Sequence, residues 1–421
     1  MKNLLFIILT ILLINSVLFP GDWTKWRGEK GLGIIDDKNW NPEIFNEDPK
    51  ITWETNVGLG YSAVAVKGNK LYTMGNNVII NNGDSSEVDV IFCLDANTGK
   101  EIWRYAYPVV TDNSWPGPSS TPVIDDNRLY TIGDDTGDLY CFNTENGAVI
   151  WHINVVEKFQ TIPPYDGVGY SGSPIIEGDM LIMNLNKSGI TLNKFTGETI
   201  WESPSGRCSF STPVIFKKDG IKKIALFGGE EFFVLNLKTG EVEGSIKWAT
   251  NCNENSADPL ICPDDKVFIS SCYGMGGAML QLTDHNPEII WKSDILKSLF
   301  SSNVFIDGYI YGIDDTRKKN SFKCIEYKTG KEMWKKRIDF GSFIVANNKI
   351  ILLTEDSDIY VFEVNPNEYK EISKNKIYKT PKPRVHRKND RQAFWWTSPV
   401  LVNGRLYIRS DKGHLTCLQM D

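Results

Sequence analysis

The side chains best suited to bind a ligand are aromatic rings and arginines in long segments between short β-rich runs. Three such segments span residues 105–119, 153–171 and 373–397. With two residues from elsewhere in the chain, the candidates are Tyr61, Trp115, Tyr165, Tyr170, Arg207, Arg384, Arg387, Arg391, Trp395 and Trp396. Ligand pockets are lined mainly by aromatic and apolar side chains with a few polar groups. The pattern predicts an aromatic-floored pocket for a protein, peptide or glycan, and the alternative is that the rings only pack the loops.

The last of these segments is also basic. Residues 373–397 contain eight Lys and Arg residues, with Asp390 as the one acidic residue. On a chain whose formal net charge is −7, a local positive patch predicts an anion or an acidic partner surface as ligand. The alternative is a solvated surface loop. The negative net charge argues against nonspecific nucleic-acid binding.

Catalytic and metal-binding signatures are poorly represented. Four scattered histidines lack zinc spacing, and the chain has neither a Gly-x-Ser-x-Gly nucleophile elbow nor a phosphate loop. Acidic pairs such as Asp134-Asp135 and Asp314-Asp315 fall in predicted turns and lack the spacing of a calcium loop. The residues predict no metal site and favour binding over catalysis.

A repeat of roughly 40 to 50 residues positions these segments. Thr98-Gly99 is followed by Trp103, and Thr329-Gly330 is followed by Trp334. In residues 120–153, four short β-rich runs alternate with turns such as Asp125-Asp126-Asn127. Four antiparallel strands joined by tight turns predict one blade of a β-propeller.

Eight such copies can be followed, and the last lacks its fourth strand. Residues 51–55, which carry Trp53, precede the first copy and can supply that strand by pairing beside residues 415–419. Such closure leaves no sheet edge unpaired at the seam. The sequence therefore predicts an all-β fold: a single eight-bladed, four-stranded antiparallel propeller over residues 51–421, closed by the N-terminal strand and monomeric.

The recurring tryptophans are predicted to pack each outer strand against the neighbouring blade, because an indole combines a large apolar surface with one donor. The predicted blade anchors are Trp53, Trp103, Trp151, Trp201, Trp291 and Trp334.

The N-terminus predicts export. Residues 4–14 form an apolar run of the length of a signal-peptide core, short for a membrane span. Residues 1–20 are read as a signal peptide or an uncleaved anchor, and residues 21–50 as an N-terminal arm. The expected location is the periplasm or the extracellular medium, with membrane contact only through an uncleaved N-terminal segment.

The eight cysteines divide into two sets. Four occupy equivalent positions in different blades, too far apart to be bridged, and are predicted to be small buried side chains: Cys93, Cys141, Cys324 and Cys417. The other four fall in neighbouring copies and could pair, with the pairing left open: Cys208, Cys252, Cys262 and Cys272.

The repeat units resemble those of the pyrroloquinoline-quinone-like β-propeller family. A second mark is Asp22-Trp23-Thr24-Lys25-Trp26-Arg27-Gly28, which is similar to the opening found in exported members. The resemblance covers roughly residues 22–421 and implies the propeller fold. Members include quinone-dependent alcohol or sugar dehydrogenases and an assembly lipoprotein of the outer membrane.

The resemblance leaves the activity open. The dehydrogenases carry two adjacent cysteines over the quinone and hold Ca²⁺ with Glu, Asn and Asp, whereas this chain has no Cys-Cys pair. Glu254, Asn255 and Asp258 are expected near the axis but match no family motif residue by residue. We therefore expect an exported, noncatalytic binding or scaffold module that acts through one loop-rich face. The alternatives are a dehydrogenase that uses pyrroloquinoline quinone and calcium, and an envelope assembly factor.

Overall fold

The protein is described here by a computed structural model of residues 21–81, 84–109, 115, 117–164, 169–315, 320–379 and 393–421. Eight antiparallel sheets follow one another along the chain, and the innermost strands of several neighbouring sheets contact each other. The predicted eight-bladed propeller is confirmed. In blades 1–7 the four blade strands follow in sequence order from the axis outward, because tight turns connect consecutive strands.

The strands of the first four blades lie at regular intervals, with turns at their ends. Blade 1 contains Ala65–Lys67, Lys70–Asn81, Asp84–Asp95 and Glu101–Pro108; blade 2 contains Val123–Asp125, Arg128–Ile132, Asp138–Asn143 and Val149–Asn154; blade 3 contains Ile175–Glu177, Met180–Met183, Ile190–Asn193 and Thr199–Glu202; blade 4 contains Val214–Lys218, Ile221–Phe227, Glu231–Asn236 and Val242–Lys247.

The second half repeats the arrangement. Blade 5 contains Leu260–Cys262, Lys266–Ser271, Gly276–Gln281 and Glu288–Ser293; blade 6 contains Val304–Ile306, Tyr309–Asp314, Ser321–Glu326 and Glu332–Arg337; blade 7 contains Gly341–Ala346, Lys349–Thr354, Asp358–Glu363 and Glu371–Lys376; blade 8 contains Val400–Val402, Arg405–Arg409 and His414–Gln419.

The ring closes as predicted. The strand Ile51–Asn56 pairs antiparallel with His414–Gln419 and becomes the outer strand of blade 8, with Trp53 opposite Cys417. The arm before it contains the two-residue strand Ile34–Ile35, which pairs parallel with the innermost strand of blade 7, and a 3-10 helix, Ile44–Asn46.

Helix is scarce. One short α-helix, Val155–Phe159, follows blade 2, and the side chain of Asn154 caps its first turn by accepting from the N–H groups of Val156 and Glu157. Among the described residues, no helix has the length and apolar character needed to cross a bilayer.

The anchor tryptophans lie on outer strands and face the next blade. Trp103 of blade 1 lies against Gly147 of blade 2, and its Nε1 donates to the carbonyl of Thr144 at 3.0 Å. The hydroxyl of Tyr72, also in blade 1, donates to the same carbonyl at 3.1 Å. At this junction, therefore, an indole ring packs on a glycine, and an indole N–H and a tyrosine hydroxyl donate to the same carbonyl.

The same arrangement recurs around the ring. The carbonyl of Lys194 accepts from Trp151 and Tyr130, and the carbonyl of Ala96 accepts from Trp53 and Tyr407 across the closing seam. Further indole donors are Trp201 to Leu237, Trp291 to Tyr327 and Trp334 to Asn365. Five turn glycines leave room for the preceding blade's indole: Gly99, Gly147, Gly197, Gly240 and Gly330.

The junction between blades 4 and 5 has the opposite arrangement. Blade 4 carries Gly244 where other outer strands carry Trp, and the turn of blade 5 has no Thr-Gly. A Cβ on Gly244 would meet the carbonyl of His285 and the ring of Pro287. At this junction the glycine therefore lies in the outer strand of blade 4, and His285 and Pro287 of the blade 5 turn fill the space.

All eight cysteines are free thiols. The pairing that the sequence left open among the four cysteines of the middle blades is therefore not made. Cys272 instead donates to the carbonyl of Asp315, and Cys208 to that of Ile162.

The contact between Trp53 and Gly99 at the closing seam can be tested with two glycines of blade 1. A Cβ on Gly99 would lie 2.5 Å from the indole, whereas one on Gly68 would meet nothing within 4 Å, and both residues have positive φ. We expect Gly99→Ala to lower the free energy of unfolding by about 1–3 kcal/mol more than Gly68→Ala, because only Gly99→Ala overpacks the junction. Denaturant unfolding of both variants measures the difference, and equal losses would contradict this role of the seam.

Candidate functional site

A cavity of about 430 Å³ lies on the face formed by the loops that enter the innermost strands. Each of the eight blades contributes at least one lining residue from such a loop. Loops between the second and third strands of blades 5, 6 and 7 add Tyr273, Asp315, Asn320 and Glu355. The site is therefore a property of the closed ring, since no single blade can form it.

One sequence position in the loop that enters each blade contributes a residue to the cavity wall. In seven blades it stands four residues before the innermost strand, and in blade 7 it directly precedes a longer innermost strand. In blade order the residues are Tyr61, Ser119, Ser171, Phe210, Ser256, Phe300, Phe340 and Trp396. The rings of blades 6, 7, 8 and 1 are neighbours, whereas serines occupy blades 2, 3 and 5, with Phe210 of blade 4 among them. The wall thus has an aromatic side and a hydroxyl side.

Trp396 is the centre of the aromatic side. Its ring lies 5.8 Å from Tyr61, 5.6 Å from Trp115, 5.8 Å from Phe300 and 5.5 Å from Phe340, measured between centroids. Offset and edge-to-face contacts at these distances are favourable. Trp115 and Phe300 remain 38% exposed at the rim, so the aromatic surface is accessible to a ligand.

Three of the predicted face residues, Tyr61, Trp115 and Trp396, line this cavity. Trp395 does not, because adjacent residues of an extended segment point to opposite sides. It is buried and stacks on Tyr378 with centroids 5.0 Å apart.

Two other candidates have local partners away from the cavity. Tyr170 is buried, with its hydroxyl 2.7 Å from the hydroxyl of Thr161. Arg207 donates to the carbonyls of Pro163 and Pro164. The remaining four lie outside the described residues: Tyr165, Arg384, Arg387 and Arg391.

A belt of hydrogen bonds holds the wall in place. Two residues before the innermost strand, a backbone N–H donates to the side-chain oxygen of the equivalent residue in the next blade. Thr121 donates to Ser173, Ser173 to Thr212, Thr212 to Asp258 and Asp258 to Ser302, over 2.8–3.2 Å. Because these donors are buried, the belt satisfies backbone groups that would otherwise carry a desolvation cost.

The N-terminal arm supplies the floor. Trp23 pairs with Val66 of blade 1, and the carbonyl of Thr24 accepts from Ile124 of blade 2. Further along, Trp26 reaches blade 5, and Ile34 pairs with Val345 of blade 7. The arm therefore crosses the central channel, and Trp26 lines the cavity from below. Sequence reasoning read this segment only as a family mark.

A buried ion pair fixes the arm. The Nη1 atom of Arg27 lies 3.7 Å from Oδ2 of Asp258, while the indole of Trp26 donates to the same oxygen at 2.8 Å. Arg27 also donates to the carbonyls of Asn303 and Leu32. Burial raises the pKa of Asp258 and lowers the pKa of Arg27, and each charge opposes the effect on the other. Loss of either partner would leave an uncompensated charge beneath the cavity.

Other carboxylates order the wall. Glu355 accepts from the indole of Trp396 at 3.0 Å, and burial raises the pKa of Glu355 against that hydrogen bond. Asp134 accepts from the hydroxyls of Ser119 and Ser171, and burial, with the nearby charge of Asp135, raises the pKa of Asp134 to about 8. The sequence predicted Asp134 to be only a turn former, whereas it links two serines of the hydroxyl side.

The residues near the axis do not fit a calcium-bound quinone. The amide nitrogen of Asn255 donates to the carbonyls of Gly228 and Gly229, and its oxygen accepts from Ser271. Asp258 is occupied by Arg27 and Trp26. Within the described ranges, no group of three His, Cys, Asp or Glu side chains is placed to hold a metal ion. Asn255 and Asp258, two of the three residues named for the Glu, Asn and Asp set, are therefore engaged with protein groups.

Comparison with known proteins gives relatives of two kinds. The sequence pattern of a family described as outer membrane protein assembly factor BamB matches residues 86–336. BamB of Salmonella typhimurium strain LT2 is 23% identical over 314 residues, which cover 71% of this chain and 74% of that protein. Quinoprotein alcohol dehydrogenase PedH of Pseudomonas putida is 24% identical over 168 residues, or 38% of this chain and 25% of that enzyme.

Solved structures share the fold. BamB from Moraxella catarrhalis superimposes with a TM-score of 0.59 at 14% identity, over 88% of this chain and 97% of the other. Quinohemoprotein alcohol dehydrogenase ADHIIG from Pseudomonas putida also gives 0.59, at 11% identity, over 95% of this chain and 80% of the enzyme.

A double-mutant cycle tests the ion pair below the cavity. We expect Arg27→Met and Asp258→Asn each to lower the free energy of unfolding by about 3–5 kcal/mol, because each leaves one buried charge unpaired. The combined variant should lose less than the sum of the two, because it removes both charges. Denaturant unfolding measures all three, with exposed Lys30→Met as the control near zero. Strict additivity would contradict the coupling.

Proposed function

The chain belongs to the family of PQQ-like repeat propellers described as outer membrane protein assembly factor BamB, and we propose that it is an exported, noncatalytic binding module of the cell envelope. In this proposal the loop-rich face takes part of a protein partner into the cavity. The sequence is also consistent with a peptide or a glycan as the ligand at the same face.

The observation that carries the proposal is the aromatic side of the cavity. Five rings form one side of a space of about 430 Å³, and two of them, Trp115 and Phe300, are more than one third exposed. Exposed, clustered aromatic rings are typical of sites that recognise a partner. The hydroxyl side, with Ser119, Ser171 and Ser256, offers hydrogen-bonding groups opposite the rings.

A noncatalytic role agrees with how the polar groups are used. Asp258 is neutralised by Arg27 and bound by Trp26, and Glu355 accepts from Trp396. Both carboxylates hold protein groups in place and so are poorly suited to act as a base toward a substrate. The relatives named for assembly also match a larger share of this chain than the dehydrogenase relative does.

The envelope location rests on two separate observations. The apolar run at residues 4–14 has the length of a signal-peptide core. The matched family is described by its part in outer-membrane protein assembly. Residues 1–20 lie outside the described ranges, so this part of the proposal depends on sequence.

Site-specific photo-cross-linking tests the binding face. A photoreactive phenylalanine analogue in place of Phe300 should form a discrete adduct with a component of envelope extract, because Phe300 lies at the aromatic rim. The same analogue in place of Ile221, which is 59% exposed at the start of the second strand of blade 4, is the matched control. Trp396→Ala should weaken the Phe300 adduct about tenfold or more, since it removes the ring that organises the others.

Two results would contradict the proposal. Equal adducts from positions 300 and 221, unchanged by Trp396→Ala, would remove the cavity face as the binding site. Dye-linked oxidation of an alcohol or sugar after addition of pyrroloquinoline quinone and Ca²⁺ would replace the binding module with an enzyme.

A further inference from the structure

Blade 1 contains a hairpin that is much longer than those of the other blades. Its second and third strands, Lys70–Asn81 and Asp84–Asp95, are twelve residues each, and they pair along their whole length. The corresponding strands of the other blades have four to seven residues. The extra length extends from the end of the blade at which Glu355, Asp315 and Tyr273 enter the cavity, because it continues the same loop between second and third strands.

One edge of this hairpin has no backbone partner beyond Asn76 among the described residues. Asn76 exchanges two backbone hydrogen bonds with Leu59, at 2.8 and 2.9 Å. Because the backbone groups of an antiparallel strand alternate between its two sides, the N–H and C=O groups of Val78 and Ile80 point to the same side as those of Asn76. No backbone partner occupies that side of residues 78 and 80 in the described part of the chain.

The open edge faces the ring axis. The innermost strand of blade 1, Ala65–Lys67, pairs with Lys70–Asn81 on this same side. Residue 78 therefore lies about 7 Å beyond the Asn76–Leu59 bridge along the strand. Leu59 is two residues before Tyr61, which lines the aromatic side of the cavity. A strand added to the edge would thus lie beside the cavity mouth.

The composition of the edge favours pairing. Residues 77–81 read Asn-Val-Ile-Ile-Asn, with no charge and no proline. Val78 is 60% exposed and Ile79 is 36% exposed, although these residues point to opposite faces of the hairpin. Natural edge strands are usually protected by charges, prolines or bulges, because unpaired apolar edges recruit other strands. Residues 77–81 contain no charge, no proline and no bulge of this kind.

We propose that residues 77–81 are a docking strand for an extended segment of a protein partner. The segment would add to blade 1 as a new inner strand through the backbone groups of Val78 and Ile80, and its end would reach the aromatic side of the cavity. This inference rests on the proposed binding function and names the class of ligand: an extended chain with alternating β-branched side chains and an aromatic terminus. Main-chain bonds would provide affinity, and the cavity would provide selectivity.

A defined peptide tests the proposal on the full chain. The probe is a soluble, dye-labelled peptide of about nine residues, as in an ordinary strand, with alternating valine and threonine, an N-terminal lysine and a C-terminal phenylalanine. Two further peptides carry N-methyl groups on alternate amides, one for each edge of the strand. Fluorescence anisotropy should detect binding of the parent peptide, and only one methylated peptide should lose about tenfold or more in affinity.

Two substitutions at one position separate the edge from the side chain. Val78→Pro removes the N–H that faces the open edge, and this N–H is not used inside the blade, so the fold should survive. Val78→Thr keeps the N–H. We expect Val78→Pro to weaken binding about tenfold or more and Val78→Thr by less than about threefold. Hydrogen exchange of the Val78 amide should slow when the parent peptide binds to the unsubstituted protein.

The outcomes separate this inference from the proposed function. Equal binding by Val78→Pro, or equal loss with both methylated peptides, would overturn the docking strand. If Trp396→Ala then still abolished the Phe300 adduct, the binding face would stand without it. Self-association of the protein that Val78→Pro abolishes would assign the edge to a second copy of this chain and overturn the heterologous partner. If Val78→Pro failed to fold, the two methylated peptides would still test whether the ligand pairs through one edge of its backbone.

Discussion

The structure depends on the contact between the outer strand of one blade and a turn of the next. An indole lies on a glycine, and the indole N–H shares one carbonyl with a tyrosine hydroxyl from the same blade, as Trp103 and Tyr72 do with Thr144. A flat ring on a residue without a side chain allows close approach, and the directed hydrogen bonds fix the angle. Repetition of this junction sets the curvature that brings eight loops to one cavity.

The exceptions follow the same physical constraint. Blade 4 lacks its Trp. The turn at His285 of blade 5 packs directly against Gly244, which has no side chain to block it. Where blade 7 lacks its Trp, the arm fills the space: Phe45 is almost fully buried, and Ser373 donates to the carbonyl of Pro42. The arm therefore has two roles, since it completes a junction at the ring's circumference and closes the channel at its axis. Its buried pair of Arg27 and Asp258 connects the second role to the belt beneath the cavity wall.

A ring of equivalent positions becomes a specific site only when its symmetry is broken. The wall position carries rings in blades 6, 7, 8 and 1 and serines in blades 2, 3 and 5. The long hairpin of blade 1, Lys70–Asn81 and Asp84–Asp95, lies next to the aromatic side of the cavity, near Tyr61. One sector of the face thus combines apolar surface with a strand edge that has no backbone partner in the described ranges. Of the acidic residues near the axis, Asp258 is engaged with Arg27 and Trp26, and Glu355 accepts from Trp396.

Sequence alone determined the blade number, the closing strand and the side on which the loops meet, because strand alternation recurs in every copy and the Thr-Gly…Trp spacing recurs in several of them. It also predicted that Tyr61, Trp115 and Trp396 share one face, and all three line the cavity. Only the tertiary structure decided which neighbours share the cavity. Trp395 and Trp396 are adjacent in sequence yet point to opposite sides, while Trp26 reaches Asp258 from 232 positions away. Contacts between residues so far apart leave no periodic pattern in the sequence. The cavity floor at Trp26, the Arg27–Asp258 pair and the hairpin edge at Val78 therefore become visible only in the closed ring.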